Sequence, residues 1–378
     1  MKKILFVATV VKTHITQFHI PYLHLLKDMG WSTAVAANDT QDYLSTCRIP
    51  WCDRFYPIPF ARNPFHPRNL KAYVILKKLL DQEEFAIVHC HTPVGAAITR
   101  IAARKARKKG TKVLYTAHGF HFYRGAPLFY WAVYYPIERM LANLTDMLIT
   151  INREDYARAQ KFPAKRLEYV PGVGIDYPRF AAARKGRSSL RAELGLREDE
   201  FVLLTVGELI PRKNHDLVFK ALAELKEQGR LRRLRYVICG QGKAARKLRA
   251  RAAALGLEEV VLFLGYRQDT ERIYGAADAF VLMSRQEGLP VALMEAMASG
   301  LPCLCSDIRG NRDLIRSEET GLLVPFDSEA LGEAILRLEG SVALQRKLGD
   351  AAAQAARAYD LPAILAQMQE IYLSASPD

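Results

Sequence analysis

The chain has 378 residues, enough for two domains of ordinary size, and half of its residues are apolar while a quarter are charged. These proportions are those of an average globular protein, and they exclude a disordered, collagen-like or coiled-coil chain. The formal net charge of +14 points to a polyanionic partner, although a role in solubility alone is the simpler alternative.

The first half of the chain alternates short apolar strands with helical sequence. The start, Met1-Lys2-Lys3 and an apolar run, looks like a signal peptide, but no small-residue cleavage site follows. We therefore interpret residues 4–9 as a first strand and expect a cytosolic protein. Helical spacing follows over 18–29. The next predicted elements are strand 31–37, helix 70–80, strand 86–90, helix 96–109, strand 112–117, helix 128–144 and strand 147–151.

The alternation stops where Pro, Gly, Arg and Ser crowd together over 171–196, and it then resumes. Strands are predicted at 201–206, 234–239, 260–265, 279–283 and 302–305, each followed by helical sequence. The pattern predicts an α/β protein of two Rossmann-like, doubly wound parallel-sheet domains, 1–180 and 181–378. Because such sheets bind ligands at the carboxyl ends of their strands, we expect the chemistry in a central cleft that the two domains face.

Several familiar functional signatures are absent from the sequence. No G-x-G-x-x-G follows the first strand, the Walker pattern around Gly242-Lys243 is incomplete, and neither G-x-S-x-G nor D-x-D occurs. No nucleic-acid recognition module is evident. The six cysteines have no repeating spacing, and neither Cys47…Cys52 nor His89-Cys90-His91 has a second ligand pair at zinc spacing. We therefore expect no disulfide framework and no metal site.

The most informative segment runs from the strand at 279–283 to the strand at 302–305. Pro290 stands where proline suits the first turn of a helix, and Gly300 stands where that helix ends. Amide groups at the start of the helix, beside Gly288, can hold phosphate oxygens. Glu287 and Glu295 are eight residues apart and can grip the hydroxyl groups of a sugar and a ribose.

This segment resembles glycosyltransferase family 4, the retaining nucleotide-sugar transferases of the GT-B fold, because residues 287–295 match the family's E-x7-E element. Residues 206–214 look like its diphosphate-binding loop, 240–242 like its Gly-x-Gly, 263–267 like its uracil-lining segment and 170–176 like its interdomain turn. Residues 116–128 are similar to the subgroup that builds bacterial exopolysaccharide, capsule and O-antigen repeats. The resemblance covers essentially the whole chain.

The resemblance implies roles for individual residues. The implied catalytic residues are His118, Lys213 and Glu287. The implied donor-binding residues are Gly207, Arg212, Lys213, Gly240, Tyr266, Arg267, Glu287, Gly288, Leu289, Pro290, Val291 and Glu295. The acceptor-binding residues are expected to be His14, His19, Gly119, Phe120 and His121.

Two departures from the family pattern concern the donor. Glu208 stands where many family members have arginine, and Arg212, four residues on, can supply that positive charge or pair with Glu208. The usual glycine-rich loop after the first strand is replaced by the sequence of residues 10–14.

The implied activity is retaining transfer of a UDP-linked hexose or N-acetylhexosamine to a polyprenyl-diphosphate-linked oligosaccharide in surface polysaccharide biosynthesis. No cofactor and no metal are expected. Other polysaccharide-assembly enzymes are among the partners that the resemblance suggests. The last helix (about 360–374) is expected to return to the first domain. The alternatives are a UDP-sugar 2-epimerase of the same fold and a basic nucleic-acid-binding protein.

The positive charge is concentrated in one half of the chain. Residues 1–180 carry 26 Lys and Arg against 13 Asp and Glu, whereas residues 181–378 carry 28 against 27. The first half also holds an aromatic stretch, 120–135, which fits either core packing or a lipid-facing surface. With a lipid-linked acceptor, this combination predicts peripheral attachment to the anionic inner face of the cell membrane.

Overall fold

A computed structural model describes Met1–Asp39 and Arg48–Ser376. The chain divides into two compact α/β units: a first unit of Met1–Val173 with Pro362–Asp378, and a second unit of Gly174–Leu361. The division comes a few residues before the expected boundary at 180. The reason is that helix Tyr177–Ala181 packs within the second unit, against helices Thr270–Ala276 and Val291–Ala298.

The first unit contains a parallel sheet of seven described strands. They are Lys3–Val10 (β1), Ser32–Asn38 (β2), Arg54–Pro57 (β3), Ile87–His91 (β4), Lys112–Ala117 (β5), Met147–Thr150 (β6) and Arg166–Tyr169 (β7). Their order is β3-β2-β1-β4-β5-β6-β7. The described helices are Val11–His19 (a π-helix), Ile20–Asp28, Arg68–Gln82, Pro93–Ala102, Arg104–Lys108, Leu128–Ala142, Arg153–Ala159 and Leu361–Ala375.

Helices cover both faces of this sheet, as its continuous apolar strands require. Because side chains alternate along a strand, Leu5 and Val7 enter one core cluster while Ile4 and Phe6 enter the other. The C-terminal helix, Leu361–Ala375, covers the face that contains Phe6, with these side chains: Ile364, Met368, Ile371 and Tyr372.

The second unit contains a parallel sheet of six described strands. They are Phe201–Val206 (β8), Leu234–Cys239 (β9), Val261–Gly265 (β10), Ala279–Leu282 (β11), Cys303–Ser306 (β12) and Leu322–Val324 (β13), in the order β10-β9-β8-β11-β12-β13. The α-helices are Tyr177–Ala181, Arg187–Glu193, His215–Glu227, Ala245–Ala254, Thr270–Ala276, Val291–Ala298, Asn311–Leu314, Ser328–Glu339 and Val342–Ala356. Two 3₁₀ turns, Pro211–Lys213 and Arg357–Tyr359, complete the unit.

Both sheets reverse their strand order at one point. In the first unit the reversal lies between β1 and β4, and in the second between β8 and β11. In open α/β sheets, ligands bind outside the carboxyl ends of the strands that flank such a point. The loops that follow these four strands are therefore the places to look for a site.

Two local features differ from the predictions. The expected single helix 96–109 is divided at Ala103 into Pro93–Ala102 and Arg104–Lys108. The segment after β1 is a π-helix, a rare structure that often marks functional positions. Among the described residues, no helix is long and apolar enough to cross a bilayer.

Candidate functional site

In the second unit, a buried carboxylate and two cations meet at the reversal point. Glu287 follows β11 and is almost fully buried, and its Oε1 accepts a hydrogen bond from Lys213 Nζ at 2.8 Å. Arg212 Nη1 lies 3.5 Å from Glu287 Oε2 and donates to the carbonyl of Gln286 at 2.6 Å. Burial alone would raise the pKa of Glu287, but the charges of Lys213 and Arg212 outweigh it and lower the pKa. The carboxylate is therefore ionised, and one positive charge remains for an anion.

Glycines bring the surrounding loops into backbone contact. Gly207 and Gly240 end β8 and β9 with φ of +151° and +155°, a region that side chains rarely allow. A Cβ at Gly240 would lie 1.8 Å from the carbonyl oxygen of Gly207, and a Cβ at Gly310 would lie 2.5 Å from that of Gly288. At Gly207, backbone without a side chain lies beside Lys213, since a Cβ there would be 3.7 Å from Lys213 Nζ. Such a surface allows a ligand's phosphate groups to come close.

The second glutamate of the E-x7-E element lies on helix Val291–Ala298. Glu295 Oε2 accepts a hydrogen bond from Tyr274 Oη at 2.9 Å. Burial raises the pKa of Glu295 to about 7, although the Tyr274 hydrogen bond opposes the shift. A carboxyl group with this pKa changes charge near neutrality, and in its ionised form it can accept two hydrogen bonds from a diol.

The remaining predicted donor residues have varied surroundings. Tyr266 is 64% exposed, so its ring is free to stack on a ligand. Arg267 is held by Asp269 through two hydrogen bonds of 2.8 Å and by Glu193 at 3.3 Å. Leu289 and Pro290 are buried beside the start of the helix at Val291, where they shape the turn after Gly288.

The pairing of Glu208 with Arg212 that the spacing suggested is absent. Glu208 is exposed and has no ion pair among the described residues, while Arg212 is engaged by Glu287 and Gln286. The turn Pro211–Lys213 directs Arg212 toward the end of β11, where Arg285 N donates to its carbonyl at 2.9 Å. Arg212 thus contributes its charge at Glu287 and does not neutralise Glu208.

In the first unit, histidines converge at the corresponding reversal point. His14 and His19 lie on the π-helix that follows β1, His91 ends β4, and His118 follows β5. Each of the four residues offers one ring nitrogen, and these four nitrogens all lie within 4.8 Å of one another. Burial is the main cause that lowers the pKa of each, to about 4 for His118 and well below the ordinary value for the other three. The structure thus brings together three predicted residues with His91, which was not predicted.

The other predicted acceptor residues directly follow His118 in the chain but are not members of this group. Phe120 is buried in the core, where its ring stacks on Phe122 at 4.7 Å between centroids. Its amide donates to Asp155 at 3.0 Å, and Gly119 makes the turn with φ of +132°. His121 stacks on Tyr134 at 4.6 Å, beside the aromatic helix. The Phe120 ring is thus enclosed by the core, and a role for Phe120 at the acceptor stays a prediction.

Comparisons with known proteins agree with this geometry. Residues 23–176 match the family described as Glycosyltransferase Family 4, and residues 186–355 match Glycosyl transferases group 1. The protein named as glycosyltransferase EpsD, from Bacillus subtilis (strain 168), is 41% identical over 98% of this chain and 96% of its own. This chain is a family 4 glycosyltransferase.

Two further comparisons extend this assignment. An Escherichia coli UDP-Gal:alpha-D-GlcNAc-diphosphoundecaprenol alpha-1,3-galactosyltransferase is 32% identical to this glycosyltransferase over 75% of the chain and 74% of its own. The crystal structure of Anabaena HepE in complex with UDP and glucose has a TM-score of 0.79 at 20% identity, covering 99% of this chain and 100% of the other. The second likeness shows the GT-B fold.

Sequence reasoning missed three residues that complete the two groups in this glycosyltransferase. Arg309 is buried and donates to the carbonyl of Glu287 at 3.2 Å, Tyr274 holds Glu295, and His91 joins the histidines. None of the three stands in a matched motif, and their nearness depends on the packing of helices and strands. For His91 the sequence did contain a signal, because this histidine directly follows the predicted strand 86–90. A residue at the carboxyl end of a strand that flanks the reversal point lies where ligands bind.

Proposed function

We propose that this glycosyltransferase moves a sugar from a UDP-linked hexose or N-acetylhexosamine, with retention of configuration, to a polyprenyl-diphosphate-linked oligosaccharide. The proposed setting is surface polysaccharide biosynthesis at the inner face of the cell membrane. The donor part of the proposal rests on the part-buried Lys213–Glu287 pair, in the loops that follow β8 and β11.

The pair and its neighbours form an anion site suited to a diphosphate. Lys213 and Arg212 carry two positive charges against one negative charge on Glu287, so a diphosphate would find a net attraction. The first amides of helix Val291–Ala298 add the positive end of a helix dipole. Because Gly207 has no side chain beside Lys213, phosphate groups can approach the lysine from that direction.

In the proposed reaction, the bond between the anomeric carbon and the diphosphate oxygen breaks, and the electron pair stays with the diphosphate. Lys213, Arg212 and the helix amides stabilise this growing negative charge. The acceptor hydroxyl attacks the anomeric carbon from the same face, and its proton passes to the departing phosphate oxygen. Glu287 positions the donor sugar, His118 orients it, and Glu295 holds the ribose. The proposal requires no enzyme nucleophile, metal ion or other cofactor.

The relatives support the choice of substrates. The name of the Escherichia coli relative specifies UDP-Gal as donor and a GlcNAc-diphosphoundecaprenol acceptor, and HepE was crystallised with UDP and glucose. We carry over the UDP donor and the polyprenyl diphosphate acceptor as classes.

An exposed apolar face in the first unit supports attachment to a membrane. On helix Leu128–Ala142, Phe129, Ile137 and Met140 recur at spacings of eight and three residues, so they share one side of the helix, and Leu128 at its start is also exposed. An apolar helix face of this kind can lie at the headgroup boundary of a bilayer.

Basic residues lie beside this helix. The basic cluster, which we define as Arg104, Lys105, Lys108 and Lys109, is exposed at the end of the neighbouring helices. Arg107 differs from them, because it makes a two-fold ion pair of 2.9 Å with Asp146 and donates to Asn143 at 3.3 Å. Arg107 therefore anchors the cluster next to the aromatic helix, and the exposed four are the residues available to anionic lipid at about 1 kcal/mol each.

The test begins with a thermal-shift screen of nucleotide sugars, since a ligand at 100 times its dissociation constant adds about 2.7 kcal/mol of stability. The sugar that stabilises the protein is then offered with and without a polyprenyl-diphosphate-linked acceptor. Release of UDP that depends on the acceptor, with an α-linked product from an α-linked donor, supports the proposal. Inversion of the sugar at C2 without acceptor would instead identify an epimerase.

A further inference from the structure

The four histidines His14, His19, His91 and His118 (the histidine cluster) converge more closely than roles in sugar transfer require. The rings of His19 and His91 are 4.0 Å apart between centroids, and those of His14 and His118 are 4.8 Å apart. His14 and His19 are 4.9 Å apart. Three of the four are buried, and His118 is partly exposed.

Four ring nitrogens of the cluster lack partners, whereas Nδ1 of His91 and Nε2 of His118 are 3.2 Å apart and share a hydrogen bond. Nε2 of His14, Nε2 of His91 and both nitrogens of His19 are buried and have no hydrogen-bond partner among the described residues. A fifth histidine shows the contrast: His89, with its ring 4.2 Å from that of His91, is hydrogen bonded at both nitrogens. Leaving several buried polar atoms unpaired is costly, so such a group calls for a ligand.

The fold positions these residues in a specific way. His14 and His19 are five residues apart, and in an α-helix they would point roughly 140° away from each other. The wider turn of the π-helix, with its i→i+5 hydrogen bonds, brings them onto nearly the same side. The switch from the usual loop to a π-helix thus turns both imidazoles toward His91 and His118.

The end of β4 is also held in an unusual conformation. Thr92, directly after His91, has φ of +62°, which costs energy for a residue with a side chain. Its hydroxyl bonds that of Thr9 at 2.7 Å and accepts from the Thr9 amide at 3.1 Å, which ties the ends of β1 and β4 together. His91, at the end of β4, is therefore held next to the end of β1, from which the π-helix starts.

We propose that the histidine cluster binds a single divalent transition-metal ion of the zinc class, with one imidazole nitrogen from each of the four residues as a ligand. Neutral imidazole is a preferred ligand of Zn²⁺, Cu²⁺ and Ni²⁺, while the absence of carboxylates from the cluster disfavours Mg²⁺ and Ca²⁺. With Zn–N bonds of about 2.0–2.1 Å, tetrahedral ligands lie roughly 3.4 Å apart. The four nitrogens lie within 4.8 Å of one another, so the proposed binding requires them to close to this spacing.

The proposed site differs from the expectation, drawn from the spacing of cysteines and histidines in the sequence, that the protein has no metal site. His89-Cys90-His91 has no second ligand pair nearby in the sequence, but the fold supplies His14, His19 and His118 to His91. The ion would engage His118, to which the proposed function assigns the donor sugar. Where that function holds, Zn²⁺ and the sugar compete for His118, so that added Zn²⁺ inhibits transfer and a chelator restores it.

The experiment measures binding without donor or acceptor, so its outcome is independent of the proposed function. Tag-free protein is stripped with EDTA, dialysed, and titrated with Zn²⁺ by calorimetry and with Co²⁺ by visible spectroscopy. We expect one equivalent of each ion and the intense absorption of tetrahedral Co²⁺. Loss of a residue that only hydrogen bonds a metal ligand costs roughly 10- to 100-fold in metal affinity. His91→Ala removes a proposed ligand itself, so it should weaken binding by more than this.

Controls separate the cluster from other histidines and from unfolding. His66→Ala, at an exposed histidine of the same unit, should bind as the unchanged protein does. If circular dichroism shows that His91→Ala is unfolded, His14→Gln on the π-helix replaces it and should show the same loss. Sub-stoichiometric binding, an octahedral Co²⁺ spectrum, or equal affinity in the folded cluster variant and the control would overturn the proposal.

Discussion

The titration of Glu295 offers the sharpest prediction about donor binding. Its pKa is raised to about 7 by burial, while an unfolded chain would titrate near 4.5. The ionised carboxylate is the form that accepts two ribose hydrogen bonds. Donor affinity should therefore increase with pH until Glu295 is ionised, and Glu295→Gln should remove this dependence.

The size of the effect follows from the pKa. If only the ionised form binds, the apparent dissociation constant is divided by the ionised fraction, which is about one tenth at pH 6 and nine tenths at pH 8. Binding should thus be about tenfold weaker at pH 6 than at pH 8. Because the folded pKa is raised, the free energy of unfolding falls as pH rises from about 4.5 to 7, by about 3 kcal/mol, and Glu295→Gln should retain that stability.

The assay is calorimetric titration with a UDP-sugar between pH 5.5 and 8.5, since its two phosphates are diesters without a pKa in that range. Urea unfolding at the same pH values gives the stability of each variant. Glu258→Gln, an exposed glutamate of the same unit, is the matched control. A donor affinity that is flat with pH in the unchanged protein, or equally sloped in Glu295→Gln, would refute the ribose role.

Four further outcomes are expected. Lys213→Ala should lower donor use about 10- to 100-fold, and unchanged rates at both low and saturating donor would contradict the diphosphate site. Gly240→Ala should disrupt donor binding, because the added Cβ would lie 1.8 Å from the Gly207 carbonyl oxygen. Gly229→Ala is the control and should leave donor binding unchanged, because Gly229 also has a positive φ (+67°) but no atom lies near its Cβ position. Activity in EDTA should persist, and a loss restored by Mg²⁺ or Mn²⁺ would show a metal requirement at the donor. Changing the basic cluster to glutamine should reduce flotation with phosphatidylglycerol vesicles and lower activity on lipid-linked acceptor at unchanged donor affinity, and equal flotation would contradict the membrane role.

Much of the fold could be predicted because its signals are local. Most strands of both sheets are short, continuous apolar runs, and β5, β8 and β9 were predicted with the bounds that the structure shows. The exceptions are edge strands such as Arg54–Pro57, whose charged and aromatic residues show no alternation. The break at Ala103 was missed for a similar reason, since neither glycine nor proline marks it in the sequence.

The candidate site was predictable only where a motif carries it. Glu287 and Lys213 stand in matched segments, and the structure joins them at 2.8 Å although they are 74 residues apart. Their pairing depends on the order of strands, which periodicity does not specify. The same limit applies to the histidine cluster, because the π-helix that turns His14 and His19 together has no sequence pattern that we could read.

The helix Leu361–Ala375 has a consequence for how the protein folds during synthesis. It completes the core around Phe6, yet its residues follow the whole of the second unit in the chain. A ribosome therefore delivers every residue of Gly174–Leu361 before the first unit receives its last helix. Domains usually become complete in the order of their sequence. Here the unit that starts first is the last to close its core, and until then the apolar surface that Leu361–Ala375 covers stays open to water.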